Sequence, residues 1–121
     1  MPQTLANEAL RLCKAKPILK WAGGKSQLLS VLTPKIPTEY GKYIEPFIGG
    51  GALFFAHQPK NAIIADTNPE LINLYKTLAT SADLIIKELE IYENSEEFFY
   101  QTRSLNFSEL TNVEAAARTI F

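Results

Sequence analysis

The chemistry this sequence offers is concentrated in two glycine-bearing segments and one aspartate. The first segment is Glu45-Pro46-Phe47-Ile48-Gly49-Gly50-Gly51. Glycines between a strand and a helix let the backbone approach a ligand closely and aim the helix N-terminus at it. Asp66 ends the next apolar run and is well placed to accept hydrogen bonds from ribose hydroxyls. About twenty residues separate Glu45 from Asp66, the usual spacing of a βαβ unit. The full dinucleotide pattern G-x-G-x-x-G is not met, because Phe54 stands three residues after Gly51. That argues against NAD and FAD and favours a ligand with a ribose and no pyrophosphate. A glycine-rich turn that binds nothing is the competing reading, and Asp66 weakens it.

The second segment is Lys20-Trp21-Ala22-Gly23-Gly24-Lys25-Ser26. Gly24-Lys25-Ser26 invites a phosphate-loop reading, but that loop needs glycine where Leu19 stands. What remains is a Trp face suited to an adenine ring or a sulfonium, and a lysine suited to a carboxylate. A core Trp beside a surface Lys is the plain alternative. Ser26 has no base paired with it by sequence and reads as a helix cap, not a nucleophile. His57 has no second ligand at metal spacing, so it reads as a helix-end residue with no metal. Tyr40 and Tyr43 are assigned to packing.

These residues need elements to hold them. Residues 5–14 could form a short amphipathic helix, and residues 17–22 read as extended up to the double glycine. A helix is expected over 25–32, then a loop through Pro34 and Pro37. Strands are expected over 43–47 and 62–65, with a helix over 52–57 between them. Asn68 before Pro69 is a helix start: a capping side chain, then proline where its missing N–H costs nothing. Leu71, Leu74, Tyr75 and Leu78 continue that helix, and another is expected over about 82–92. Asn94 with Glu97, and Thr111 with Glu114, have capping-box spacing. Strand, glycine loop, helix, strand, Asp and helix over 43–79 make a βαβ unit, half of a doubly wound α/β fold.

The 121 residues are 46% hydrophobic and 21% charged, with a net charge of −1, which fits a globular chain and not a disordered or collagenous one. No apolar run approaches the roughly 18–20 residues that span a bilayer. The first residues lack the apolar core of a secretory signal. Cys13 alone forms no disulfide framework and suggests a reducing compartment. A cytoplasmic location is therefore expected. Residues 1–42 carry a net of about +5 and the remainder about −6, a weak hint of a polyanion near the basic part. The acids between Glu88 and Glu97 read as an exposed helical face.

Three blocks together resemble the Dam-type (class alpha) DNA adenine-N6 methyltransferases. They are Pro17 to Ser26, Tyr43 to Phe54, and Ala65-Asp66-Thr67-Asn68-Pro69 with the residues up to Tyr75, in the family's order. The resemblance covers about residues 17–121. It implies an incomplete, Rossmann-like methyltransferase fold followed by a mostly helical segment. It divides the chain into an extension (1–16), a cofactor-binding part (17–80) and a truncated helical part (81–121). It implies S-adenosylmethionine as cofactor, held by Trp21, Ala22, Gly23, Gly24, Lys25, Glu45, Pro46, Phe47, Gly49, Gly51 and Asp66. Within that set the Gly49–Gly51 loop would wrap the methionine part and Asp66 would hold the ribose.

The resemblance also implies double-stranded DNA as the intact enzyme's substrate, with no membrane partner. The family's catalytic motif, Asp-Pro-Pro-Tyr or a close variant, has no counterpart in this sequence, which contains no Pro-Pro pair. The expectation is therefore an N-terminal portion, inactive alone, that a complementing C-terminal chain or self-association would complete. A non-catalytic nucleoside-binding module, or a degenerate remnant needing a partner chain, is the alternative.

Overall fold

The computed structural model describes residues 15–21 and 23–121. The helix expected over 5–14, and Ala22, lie outside the described residues. The chain divides into two compact units, Met1–Ala65 and Asp66–Phe121.

In the first unit, strand β1 (Tyr43–Glu45) pairs in parallel with β2 (Ala62–Ile64). Tyr43 lies opposite Ala62 and Glu45 opposite Ile64. The helices of this unit are α1 (Leu29–Leu32) and α2 (Ala52–His57). Helix α2 crosses over between the strands, as parallel pairing requires. Alternation along β1 buries Tyr43 and Glu45 on one face and leaves Ile44 on the other. Ile44 and its register partner Ile63 are both exposed, so that second face is open.

Three local expectations change here. Residues 17–21 form no strand and bend at Ile18 and Leu19: among the described residues only β1 and β2 pair, so nothing extends the ladder to them. The strands are also shorter than expected, since Pro46 follows β1 at once and has no N–H for a ladder. Ser26 is no cap either. The helical run opens as a 3-10 turn over Ser26–Leu28, with Lys25 at the N-cap position and no side-chain capping bond.

The second unit is helical: α3 (Pro69–Glu90), α4 (Glu96–Ser104) and α5 (Asn112–Ile120). Asn68 Oδ1 accepts the Glu70 N–H at 3.0 Å, and Pro69 sits at the first helical position. Helix α3 is kinked at Ser81 (φ −143°, ψ 36°), which accounts for the break expected near residue 80. Leu71, Leu74 and Ile85 are fully buried, each contributing about 1.5–3 kcal/mol of apolar burial.

Helix α5 packs against α3 through Ala115, Ala116 and Ala117, whose small side chains permit close approach. Its capping box is complete: Thr111 Oγ1 accepts from Glu114 N, and Glu114 Oε2 accepts from Thr111 N. The box expected at Asn94 is displaced by one residue. Ser95 caps α4 instead, its hydroxyl accepting the Phe98 N–H at 3.2 Å. Ser95 has the extended backbone that an N-cap needs (φ −135°, ψ 153°) and stands directly before the first helical residue, Glu96. Phe121 joins Tyr92, Phe98 and Phe99 in an aromatic cluster, with centroids 5.2–5.8 Å apart. Among the described residues no helix is long and apolar enough to cross a membrane.

Candidate functional site

The first unit gathers most of the sequence-selected residues at the C-terminal end of β1. Tyr43 and Glu45, two apart on one strand, project to the same buried face. The Tyr43 hydroxyl donates to Glu45 Oε2 at 2.7 Å. The Lys25 ammonium donates to Glu45 Oε1 at 3.1 Å and to the Phe47 carbonyl at 2.5 Å. Each oxygen of the buried Glu45 carboxylate therefore has a donor. Lys25, half-buried, uses two of its three N–H groups on the protein. Its third N–H has no acceptor among the described residues.

Beyond β1 the chain turns sharply. Ile48 N–H donates to Ala65 O (3.0 Å), Ala65 N–H to Glu45 O (2.8 Å) and Gly51 N–H to Ile48 O (2.9 Å). Gly49 (φ 53°) and Gly51 (φ 78°) occupy the left-handed region that side chains disfavour. Gly50 serves a different need. A Cβ there would lie 3.1 Å from Trp21 Cβ and 3.3 Å from Leu19 O. The glycine loop and the Trp21 segment thus pack directly on each other.

Trp21 is only partly covered by this contact (38% exposed) and lines an open cleft of about 750 Å³. Leu19, Gly23, Gly24, Gln27 and Gly50 line the same cleft, within the size range of small-molecule sites. Gly24 N–H donates to Trp21 O at 3.0 Å, closing the turn between them. Pro46 and Phe47 are exposed. Gly50 of the loop and Ala52, the first residue of α2, both line the cleft.

Asp66 opens the second unit directly after Ala65. Asp66 Oδ1 accepts the Asn68 N–H at 3.0 Å, a turn that leads the chain into α3. Sequence reasoning missed the role of Tyr43, whose hydroxyl is bonded to Glu45 as well as its ring being packed. The i, i+2 spacing on a strand was the available signal. His57 ends α2 as expected, and Tyr40 Oη lies 2.5 Å from its Nε2. Among the described residues no group of three His, Cys, Asp or Glu side chains could hold a metal ion.

Residues 21–121 match the model of the D12 class N6 adenine-specific DNA methyltransferase family. The chain belongs to this family. It is 40% identical over 112 residues to the type II methyltransferase M1.LlaDCHI of Lactococcus lactis subsp. cremoris, covering 88% of this chain and 39% of that protein. It is 36% identical over 129 residues to the type II methyltransferase M.MjaIII of Methanocaldococcus jannaschii, covering 89% and 45%. A DNA adenine methylase of Haemophilus influenzae is 36% identical over 95 residues, covering 74% and 33%. The chain thus spans roughly a third to a half of the length of these relatives. The D12 match begins at Trp21, so it takes in the lysine–glutamate pair, the glycine loop and Asp66.

Proposed function

We propose that this chain is the cofactor-binding portion of a site-specific DNA methyltransferase that moves a methyl group from S-adenosylmethionine to adenine N6. The observation that carries the reading is the Lys25 bridge to Glu45 and Phe47 O, which ties two motif segments together beside the Trp21 cleft. The βαβ unit is then the start of a larger, doubly wound Rossmann-like sheet.

The donor set suits this cofactor. When bound, S-adenosylmethionine supplies an electrophilic methyl group on a positively charged sulfur. Trp21 offers an aromatic face to a ring or a cation. The third N–H of Lys25 offers a charge-assisted bond to a carboxylate. Glu45, held between Lys25 and Tyr43, retains acceptor capacity on both oxygens for an ammonium group. Gly23, Gly24, Gly49 and Gly51 keep the backbone bare where a ligand must lie close, and Pro46, Phe47 and Ala22 belong to the same two segments. Asp66 is assigned to the ribose. The chain's part is orientation and electrostatics.

Duplex DNA is the proposed substrate, with the Lys/Arg-rich residues 1–42 as the cationic stretch of the sequence and affinity falling as salt rises. Acting on a paired adenine requires extruding the base from the stack. Without an Asp-Pro-Pro-Tyr motif, the 121 residues alone transfer no methyl group. Calorimetric titration of the chain with S-adenosylmethionine, NAD and ATP in parallel tests the reading. Binding of S-adenosylmethionine alone is expected, and preference for NAD or ATP overturns it. Methylation of adenine-containing duplex by the purified chain would overturn the inactivity.

A further inference from the structure

Tyr43 stands out among the buried polar groups of the first unit. Its hydroxyl donates to Glu45 Oε2 at 2.7 Å, from a position two residues earlier on the same strand. A buried phenol needs a partner, and a carboxylate is a stronger acceptor than a backbone carbonyl. The ring itself is gripped from α2. Its centroid lies 5.6 Å from that of His57 and 6.5 Å from that of Phe54. His57 is fixed in turn by Tyr40 Oη at 2.5 Å from Nε2. The hydroxyl is thus aimed by packing at one end and by a charged acceptor at the other.

The consequence falls on Glu45. With only Lys25 on Oε1, its carboxylate could rotate about the terminal torsion, which is broad for a glutamate. Two donors on different oxygens fix the plane. We propose that Tyr43 is a positioning residue for the cofactor site, holding the Glu45 carboxylate in one plane beside Lys25 so that its remaining lone pairs face the ligand. This rests on the assignment of Glu45 to S-adenosylmethionine binding. Tyr43 itself touches no ligand: it acts through Glu45.

Tyr43→Phe removes the hydroxyl and keeps the ring between His57 and Phe54, so the fold should hold. Its effect is compared with Glu45→Ala and with the double variant, by calorimetric titration of the 121-residue chain with S-adenosylmethionine. The expected loss for Tyr43→Phe is about tenfold in affinity, and less than about twofold when Glu45 is already Ala. A ligand-free readout accompanies it. The Tyr43 hydroxyl proton should give a slowly exchanging resonance in wild-type chain that is absent from both Glu45→Ala and Tyr43→Phe.

Unchanged affinity in Tyr43→Phe overturns the inference while leaving the cofactor reading intact. So does an equal loss in both backgrounds, which would mean that Tyr43 acts through the fold alone. A hydroxyl resonance that survives in Glu45→Ala overturns it as well, and this arm needs no Tyr43 variant to fold. If wild-type chain binds no S-adenosylmethionine, the cofactor reading falls and the positioning role falls with it.

Discussion

The Lys25 ammonium stands 3.1 Å from Glu45 Oε1, joining residues twenty apart in the chain. The pair is asymmetric. The Glu45 side chain is almost wholly covered, whereas about a third of the Lys25 side chain is exposed. A buried carboxylate needs compensation for lost hydration, and Lys25 with Tyr43 supplies it. Because Lys25 also donates to Phe47 O, the one ammonium fixes both the side chain at the end of β1 and the backbone that leaves it. The glycine-lysine segment and the strand–loop segment become one structure through that group.

Replacing Lys25 with Met should therefore cost more than an ordinary surface change. Glu45 would keep only Tyr43, and its charge would lie buried without a cation. A loss of about 2 kcal/mol is expected, below the range for wholly buried pairs because Lys25 reaches solvent. Thermal melts of the two chains would read it. Glu45→Gln in the Lys25→Met background should recover part of the loss, since the uncompensated charge is then gone.

Gly50 and Gly51 are neighbours whose replacement by Ala should fail for different reasons. At Gly50 the new methyl meets Trp21 Cβ at 3.1 Å and Leu19 O at 3.3 Å, so the Trp21 segment must move. At Gly51 the obstacle is the backbone itself, at φ 78°. Each should lose about 1–2 kcal/mol. The chain has a single Trp, so its fluorescence separates the two. The emission of Gly50→Ala should shift from wild type in the folded state, and that of Gly51→Ala should not.

Much of this was legible because it depends on local chemistry. Asn68-Pro69 starts α3 and Thr111 with Glu114 caps α5, since caps are decided by the residues within one turn. Helix α2 falls on the residues that the glycines and Pro59 delimit. Position 95 over 94 was not legible, because both residue types cap and the backbone of the preceding turn decides between them. The site divides the same way. The identities of Trp21, Lys25 and Glu45 marked them, but the partner of Lys25 is twenty residues away and depends on where the strand lies. Gly50 is a packing contact with Trp21, a fact available only when both segments are in place. Tyr43 passed as a packing residue because the ring does pack. Only the strand geometry puts its hydroxyl on the carboxylate.

In the second unit, Arg118 has a comparable place. Its buried guanidinium donates to the Leu105 carbonyl and to Glu70 Oε1. It thereby links α5 to the first turn of α3 and to the end of α4. Glu70 is itself about a third exposed, so the two partners are unequal. Arg118→Met should cost about 2 kcal/mol, the range for hydrogen bonds from a charged group. Glu70→Gln should cost less than about 1 kcal/mol, because the guanidinium keeps Leu105 O and an amide oxygen can still accept. Chemical denaturation midpoints would rank them, and equal losses would contradict the inequality.

Alkaline pH should weaken the fold through Tyr43. Burial, then the hydrogen bond to Glu45 and its negative charge, push the Tyr43 phenol up from its ordinary value near 10. The folded chain thus holds this proton more tightly than the unfolded chain does. The resulting stability is fully present below about pH 10 and is lost as pH rises toward the raised value. Tyr92 adds in the same direction, raised by burial and then by Glu88 and Glu114. Urea midpoints measured from pH 8 upward should stay level to about pH 10 and then fall. In Tyr43→Phe the fall should be shallower, by up to about 1.4 kcal/mol per pH unit, because one proton no longer couples to folding. A fall of equal slope in both chains would show that Tyr43 titrates alike folded and unfolded, which a phenol bonded to a buried carboxylate does not do.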